Sequence, residues 1–275
     1  MTDPRALARA YLEQQQLLGS GVVVRAEPDS WSGGQADGAS NATTDPRLEP
    51  PAVPTVRSSD RPTASGRPSA ALPPPGLSFD PPAGDLFSDD PIQAAATLDA
   101  VAQLVAACTR CRLCEGRTNT VPGEGPADAR LVVVGEGPGR TEDETGRPFV
   151  GRAGELLTKI LAAIDFPRER VFICNVVKCR PPENRVPLYD EIQACAPYLF
   201  RQLELLQPGV ILAMGGAAAQ TLLNTKQSLG ALRNQVHRFR GIPVIVTYHP
   251  AALLRNPNWK RPTWDDVRLA RRLLD

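Results

Sequence analysis

Five of the six cysteines in this chain have the spacing of metal ligands. Three follow one another at intervals of three residues and two come much later, namely Cys108, Cys111, Cys114, Cys179 and Cys195. Thiolates grouped in this way favour zinc or an iron–sulfur cluster, because one turn supplies two ligands and distant segments supply the others. Four ligands suffice, and we interpret Cys114 as the surplus one. Cys174 lies in an apolar run and is predicted to be an ordinary buried residue.

Two polar side chains are candidates for binding or catalysis. Asn175 ends an apolar run, where a buried amide is costly unless it is used, and an amide matches the edge of a nucleobase. His249 precedes Pro250, which keeps it out of a helix, and it could polarise a carbonyl group or bind an anion. A loop-stabilising asparagine and an ordinary loop histidine are the alternatives. His237 has no such setting, and we expect it to be structural.

A glycine-rich loop, GEGPG at 135–139, follows another apolar run. It lacks the Gly-Lys-Ser/Thr of a phosphate-binding loop, and Arg140 stands where a dinucleotide fingerprint has its third glycine, so a nucleotide cofactor is disfavoured. Downstream, Phe149 lies in a loop between Pro148 and Gly151, where its ring can stack on a flat ligand. The alternative for Phe149 is packing in the core beneath the loop.

The elements that would position these residues are short apolar strands that alternate with helices. Strands are predicted at 131–134, 171–177, 210–213 and 243–247, and helices at 151–164, 189–206, 217–223 and 263–274. This pattern indicates a three-layer α/β/α sandwich around a four-stranded parallel sheet. Ligands bind beyond the carboxyl ends of such strands. We therefore expect the glycine-rich loop, Asn175 with the Cys179 loop, and His249 to meet at one edge.

The first 98 residues differ in composition from the rest. They hold half of the 28 prolines and carry 7 basic against 12 acidic residues, whereas the remainder carries 24 against 18. A mildly basic folded part is compatible with a polyanionic partner such as nucleic acid. We predict a short helix at 1–20, a disordered Pro/Ala/Ser-rich linker at 21–90 and a folded catalytic domain at 91–275.

The sequence contains no apolar stretch of membrane-spanning length and no apolar core of a secretory signal. We therefore expect a cytoplasmic protein. Six cysteines in a reducing compartment are not expected to form disulfides, which again favours metal ligation or burial.

Four separated motifs occur in order along the chain: GEGPGxxED at 135–143, GRPFVG at 146–151, KCRPPxNR at 178–185 and HPAxLLRN at 249–256. Together with the cysteine spacing, they closely resemble the family 4 uracil-DNA glycosylases, the iron–sulfur type of bacteria and archaea. The match runs from about residue 108 to the end. The resemblance implies a glycosylase-like fold with one 4Fe-4S cluster on Cys108, Cys111, Cys179 and Cys195.

The resemblance also implies how the base would be recognised. Phe149 would stack on a flipped-out uracil, and the Asn175 amide would read its edge and reject cytosine. Glu142 would crowd the C5 position against thymine. His249 would hydrogen-bond the uracil O2 as negative charge develops there.

The reaction implied is hydrolysis of the N-glycosidic bond of deoxyuridine in DNA, which releases uracil for base excision repair and leaves an abasic site. Where the best-known uracil glycosylases have a water-activating aspartate, this chain has Gly137, so the water is activated either by Glu136 or by no group. The catalytic set is therefore Glu136, Gly137, Asn175 and His249. Hydrolysis by water requires no catalytic lysine, and we expect no lyase activity.

Uracil-containing DNA is the expected partner of a chain that we expect to be monomeric. The candidate DNA contacts are Arg180, Asn184, Arg185 and Arg255, with Leu253 or Leu254 as a wedge in the duplex. Two alternatives stay open: a non-catalytic iron–sulfur module that binds nucleic acid, and a glycosylase variant that traps the sugar covalently or prefers hypoxanthine. Covalent relatives carry a basic, histidine-containing insertion where residues 186–188 here lead directly into a helix.

Overall fold

The computed structural model describes residues 72–81 and 90–275. The predicted helix at 1–20 and most of the predicted linker lie outside these residues. Within the described ranges, no helix is long and apolar enough to cross a membrane.

Six strands form one sheet in the described part of the chain. They are β1 Pro75–Phe79, β2 Leu131–Gly135, β3 Val171–Asn175, β4 Val210–Met214, β5 Val236–Phe239 and β6 Ile242–Thr247. Their order across the sheet is β1-β5-β6-β4-β2-β3. The four predicted strands β6, β4, β2 and β3 are neighbours in this order and are parallel to one another. The predicted parallel sheet is therefore confirmed as the main part of a larger one.

Two further strands extend the sheet from four strands to six. β5 is antiparallel to β6, and β1 is parallel to β5. β1 lies inside the segment predicted as linker, so that prediction is wrong for these residues. Leu77 and Phe79 pack against the core, and the Leu77 N–H donates to Nδ1 of the buried His237 at 2.8 Å. The Pro-rich composition around β1 obscures the sequence pattern of so short a strand. His237 is structural, as expected.

The helices of the described residues are α1 Pro91–Ala94, α2 Leu98–Ala106, α3 Leu113–Gly116, α4 Arg140–Thr145, α5 Arg152–Ala162, α6 Tyr189–Leu206, α7 Gly216–Leu223, α8 Leu229–Leu232, α9 Pro250–Arg255 and α10 Lys260–Arg272. Short 3-10 helices occur at Arg168–Arg170, Pro182–Asn184 and Pro257–Trp259. The predicted helices correspond to α5, α6, α7 and α10, and α6 has the predicted bounds.

Alternate strand residues contribute to two cores, one on each face of the sheet. On one face, Val134 belongs to a core with Leu199 of α6. On the other, Val133 belongs to a core with Leu157 of α5 and Val267 of α10. Strands buried on both faces read as continuous apolar runs. The three-layer α/β/α sandwich is confirmed.

Candidate active site

The polar segments that follow β2, β3 and β6 meet at one cavity, as the sequence predicted. Its volume is about 450 Å³, within the range of small-molecule sites. The predicted site residues in its lining are Glu136, Gly137, Glu142, Phe149, Asn175, Asn184, Arg185, His249 and Arg255. The predicted catalytic residues and the predicted base-binding residues therefore share one cavity.

Asn175, the last residue of β3, has a buried side chain with an unpaired acceptor. The residue is 1% exposed, and its Oδ1 is the only buried side-chain N or O atom of the described residues without a hydrogen-bond partner. Leaving such an atom unpaired costs roughly 1–3 kcal/mol. Gly135, its register partner on β2, makes room for the amide, since a Cβ there would lie 2.4 Å from Oδ1. The unpaired oxygen indicates a site for a ligand that carries an N–H group.

His249 is the N-cap residue of α9, and its Nδ1 accepts a hydrogen bond from the Ala251 N–H at 3.2 Å. Burial lowers the pKa of the imidazole to about 4, with a smaller contribution from Arg255 that Glu142 opposes. The ring is therefore neutral at pH 7. Since Nδ1 is the acceptor, the proton resides on Nε2. The neutral ring thus provides one N–H donor for a ligand.

We expect the imidazole of His249 to remain neutral until the pH falls to about 4. Its pKa is lowered in the folded state, so its contribution to stability is complete above the unfolded value of about 6.5 and is lost as the pH falls toward 4. NMR titration of the two imidazoles, assigned with His249→Asn, measures this pKa, and denaturant unfolding measures the loss. A His249 resonance that titrates near pH 6.5 would contradict the burial argument.

Phe149 is held in a backbone conformation that is unfavourable for an aromatic residue. Its φ is 51°, in the left-handed region, and the residue is 5% exposed. Arg168 donates to the carbonyl oxygens of Phe149 and Pro148 at 2.9 and 2.5 Å. The backbone of Gly154 passes so close that a Cβ there would lie 1.8 Å from the Phe149 oxygen. Phe149 is therefore both a core residue and a fixed wall of the cavity, 5.4 Å from His249 between ring centroids.

Glu142 of α4 holds the same loop from another direction. Its Oε1 accepts hydrogen bonds from the N–H groups of Val150 and Gly151, both at 2.9 Å. Gly139 passes beside the carboxylate, since a Cβ there would lie 2.7 Å from Oε2. The carboxylate also lines the cavity. Its role as a barrier to a C5 methyl group stays a prediction.

Glu136 and Gly137 form the part of the cavity wall that follows β2. Burial raises the pKa of the Glu136 carboxyl group, and the nearby Arg255 partly offsets this effect. A carboxylate with a raised pKa is a stronger proton acceptor. At Gly137, a Cβ would lie 2.7 Å from Cγ2 of Val177. An aspartate at this position would therefore require the Val177 side chain or the loop to shift.

The predicted DNA contacts on the loop after β3 have different environments. Arg180 Nε donates to Asn184 Oδ1 at 2.8 Å on the surface. Arg185 instead makes two hydrogen bonds to Glu191, at 2.6 and 2.8 Å, and the Glu191 side chain is fully buried. Arg185 therefore anchors the loop to the first turn of α6, and its charge is already balanced. Of the other two predicted contacts on this loop, Asn184 is exposed and Arg180 is partly exposed.

The two candidate wedge residues on α9 point in different directions. Leu253 is 1% exposed and belongs to the core, whereas Leu254 is 43% exposed. A wedge must reach into the duplex, so the prediction is wrong for Leu253 and stays a prediction for Leu254. Adjacent helical residues point about 100° apart, and the sequence did not indicate which of them faces the core. The exposed Arg255 follows at the cavity rim.

A second, smaller cavity is lined by all five candidate cysteines. The structure thus brings together the four predicted ligands and adds Cys114. Cys174 is fully buried in β3 and is not in this lining, as expected. All six cysteines are free thiols. Within the described residues, no group of three or more Cys, His, Asp or Glu side chains is placed to hold a single metal ion.

Hydrogen-bond donors point at these sulfur atoms. Arg117 donates from Nη1 to Sγ of Cys179 at 3.2 Å and to the Cys108 oxygen at 2.8 Å. The Lys178 N–H donates to Sγ of Cys195 at 3.3 Å. Burial is the larger influence and raises the pKa of the Cys179 and Cys195 thiols, while these donors partly oppose it and would stabilise thiolates once a cationic group is bound. The cavity is therefore suited to a group that binds sulfur anions.

Two arginines that shape these sites were not predicted from the sequence. Arg168 is 19 residues from Phe149 along the chain and is itself paired with Glu124 at 2.9 Å. Arg117 lies 62 residues from Cys179. Neither belongs to a motif, and only the folded arrangement brings them to the residues that they hold.

Comparison with known proteins agrees with this geometry. The family model of the uracil DNA glycosylase superfamily matches residues 122–269, which is more than half of the chain and includes every residue of the active-site cavity. A type-4 uracil-DNA glycosylase of Thermotoga maritima is 50% identical over 161 residues, 58% of this chain and 84% of the relative. A type-4 uracil-DNA glycosylase from Sulfurisphaera tokodaii is 42% identical over 189 residues, which are 64% of this chain and 84% of the relative.

A type-5 uracil-DNA glycosylase of Pyrobaculum aerophilum is also similar, at 31% identity over 150 residues, 48% of this chain and 66% of the relative. Both the identity and the coverage are higher for the type-4 proteins. The chain therefore belongs to the uracil-DNA glycosylase superfamily and, within it, to the type-4 family.

Proposed function

We propose that this protein is a uracil-DNA glycosylase, which hydrolyses the N-glycosidic bond of a flipped-out deoxyuridine in DNA. The products are free uracil and an abasic site, as in base excision repair. The observation that carries the proposal is the unpaired Oδ1 of Asn175 in a cavity that also presents Phe149 and His249.

Base recognition follows from the Asn175 amide. Uracil has an N3–H donor beside an O4 acceptor, and the amide has the complementary acceptor and donor. Cytosine has an acceptor at N3 and an amino group at C4, so both contacts would be lost and buried polar groups would stay unpaired. Phe149 supplies the flat apolar face for stacking. Glu142, fixed by two backbone N–H groups, is the proposed barrier to the methyl group of thymine.

The chemistry follows from the neutral His249. The bond between the sugar C1′ and N1 breaks, its electron pair leaves with uracil, and the sugar becomes cationic. The Nε2–H of His249 donates to uracil O2, where the negative charge develops. Water adds at C1′ and loses a proton, for which Glu136 is the proposed acceptor. We propose hydrolysis without lyase chemistry, since this scheme uses no amine nucleophile.

An iron–sulfur cluster fits the donor set of the thiol-lined cavity. Five thiols line it, and the ligands of a multi-iron cluster lie farther apart than those of a single ion. We propose one 4Fe-4S cluster on Cys108, Cys111, Cys179 and Cys195, with Cys114 as the surplus thiol. When bound, the cluster supplies covalent iron–sulfur links between the segment after α2, the loop after β3 and the α6 helix. No step of the base-release reaction uses it.

Replacing Cys179 with alanine should abolish the visible absorbance and the iron content of the purified protein, whereas Cys114→Ala should retain both. Cys179 is buried beside the loop that leads from Asn175, and no segment nearby offers a substitute thiol except Cys114 itself. Absorption spectra and iron and sulfide analysis measure the difference. If Cys114→Ala loses iron as fully as Cys179→Ala, the proposed ligand set is wrong.

The proposed substrate is uracil-containing DNA, which Arg180, Asn184 and Arg255 would contact at the cavity rim. Leu254 is the proposed wedge for the space that the flipped nucleotide leaves. We propose that the protein acts as a monomer. None of the six cysteines is in a disulfide, a state that a reducing compartment maintains, and we propose that the enzyme is cytoplasmic.

Release of free uracil from labelled oligonucleotides tests the proposal. We expect release from U:G, U:A and single-stranded uracil, and far slower reaction with T:G and hypoxanthine. Binding without release of any base would identify a non-catalytic module. A protein–DNA adduct that survives denaturant would identify a covalent variant.

A further inference from the structure

Lys178 is a fully buried lysine that lies between the two cavities. It is 1% exposed and stands first by volume among the fully buried side chains of the described residues. Lysine is almost never buried unless its charge is balanced. Lys178 lines the thiol cavity, while its side chain extends back toward the end of β3. Its position therefore requires an explanation in terms of charge.

The ammonium group of Lys178 is hydrogen-bonded to neutral oxygens. Nζ donates to the backbone oxygen of Asn175 and to Oε1 of Gln202, both at 2.7 Å. Gln202 is held in turn, because its Nε2 donates to the Pro122 oxygen at 2.8 Å. These contacts satisfy two donors and fix the backbone at Asn175. They do not balance the positive charge.

The thiol cavity can supply the missing negative charge. The Lys178 N–H donates to Sγ of Cys195, and Cys179 is the next residue along the chain. Lys178 lines this cavity together with Cys179 and Cys195. Thiolates that bind a cluster would carry a net negative charge in the cavity that Lys178 lines. Removing one partner of a buried charge pair is strongly destabilising, because it leaves the other charge unbalanced.

We propose that Lys178 is a positioning residue that couples the cluster site to base recognition. Its ammonium group is the counter-charge of the cluster thiolates and, through the Asn175 oxygen, it holds in place the amide that reads uracil. This inference rests on the proposed function, since it concerns the same amide. Binding of the cluster therefore stabilises the position of the Asn175 amide and also holds the loop after β3 in place.

Replacing Lys178 with methionine keeps the length and apolar stem of the side chain and removes its charge. We expect the iron-loaded Lys178→Met protein to release uracil at least tenfold more slowly and to bind free uracil more weakly. The reduction potential of its cluster should become more negative, because a nearby positive charge has been lost. Lys226→Met, an exposed lysine in the loop after α7, removes one charge elsewhere and should change none of these quantities.

A double-mutant cycle separates positioning from a general loss of fold. If Lys178 acts through Asn175, then Lys178→Met should lower the single-turnover rate less than twofold in an Asn175→Ala background. Full additivity of the two effects, or an unchanged potential in Lys178→Met, would overturn the proposal. The wild-type protein in the same assay tests the proposed function separately. If the wild type releases no uracil, the proposed function is wrong. If the wild type releases uracil but the two variant effects are additive, only the role of Lys178 is wrong.

Gln202→Met provides a second route if Lys178→Met does not assemble its cluster. It keeps the ammonium group but removes one of its two acceptors. The expected result is a smaller loss of rate that again disappears in the Asn175→Ala background. A loss of equal size in both backgrounds would count against coupling through the amide.

Discussion

Replacing His249 with alanine should lower the single-turnover rate of uracil release by about a hundredfold to a thousandfold. One donor aimed at developing negative charge contributes roughly 3–4 kcal/mol in comparable sites, and about 1.4 kcal/mol corresponds to a tenfold change in rate. The Nε2–H of the neutral ring is that donor, because Nδ1 is occupied by the Ala251 N–H. The rate is measured with a uracil oligonucleotide at saturating enzyme, so that substrate affinity does not enter.

His249→Asn is the matched control, since the alanine variant also removes the cap of α9. An asparagine oxygen can accept from the Ala251 N–H and keep the cap, but its amide is too short to replace Nε2. We therefore expect His249→Asn to unfold at nearly the wild-type denaturant concentration and still to lose most of the rate. If asparagine restores the rate to within threefold of wild type, the histidine acts through the helix cap and not as a donor.

Replacing Asn175 with aspartate should lower the rate with uracil by about a thousandfold or more and should raise the rate with cytosine in the same oligonucleotide. The loss with uracil is large because a site built to hydrogen-bond its substrate discriminates by about 10⁴–10⁵. An aspartate presents an acceptor to O4 of uracil, which is also an acceptor, whereas the amino group of cytosine can donate to it. Separate release assays with uracil and cytosine measure the reversal.

Asn224→Asp introduces the same chemical change outside the site. Asn224 is exposed, ends α7 in a left-handed conformation that aspartate tolerates, and should be neutral for both substrates. A tenfold or smaller loss with uracil in Asn175→Asp would mean that the unpaired Oδ1 does not bind the base. Unchanged discrimination against cytosine would lead to the same conclusion.

The parallel sheet and the meeting of its loops were predictable because apolar strands buried on both faces leave a strong local signal. Asn175 and His249 stood out because Asn175 is the last residue of such a strand and His249 lies two residues after the end of another. β1 was missed, since Leu77 and Phe79 make it a strand only by pairing with β5, more than 150 residues later in the chain. Pairing over such a distance leaves no trace in local composition.

Side-chain direction and long-range contacts also could not be predicted from the sequence. Leu253 and Leu254 are equally apolar, and only the packing of α9 decides which of them is buried. Arg185 looked like a free basic residue until the fold placed it on the buried Glu191. Lys178 belonged to a recognised motif, but its burial and its contact with the Asn175 oxygen depend on how the loop after β3 turns back over the strand.

The direction of β1 determines where the preceding part of the chain is attached. β1 is parallel to β5, and β5 is antiparallel to β6, so Pro75 lies at the edge of the sheet where β6 ends and His249 follows. Leu72, the first described residue of this segment, therefore enters the sheet at the end that carries the proposed active site and not at the opposite one.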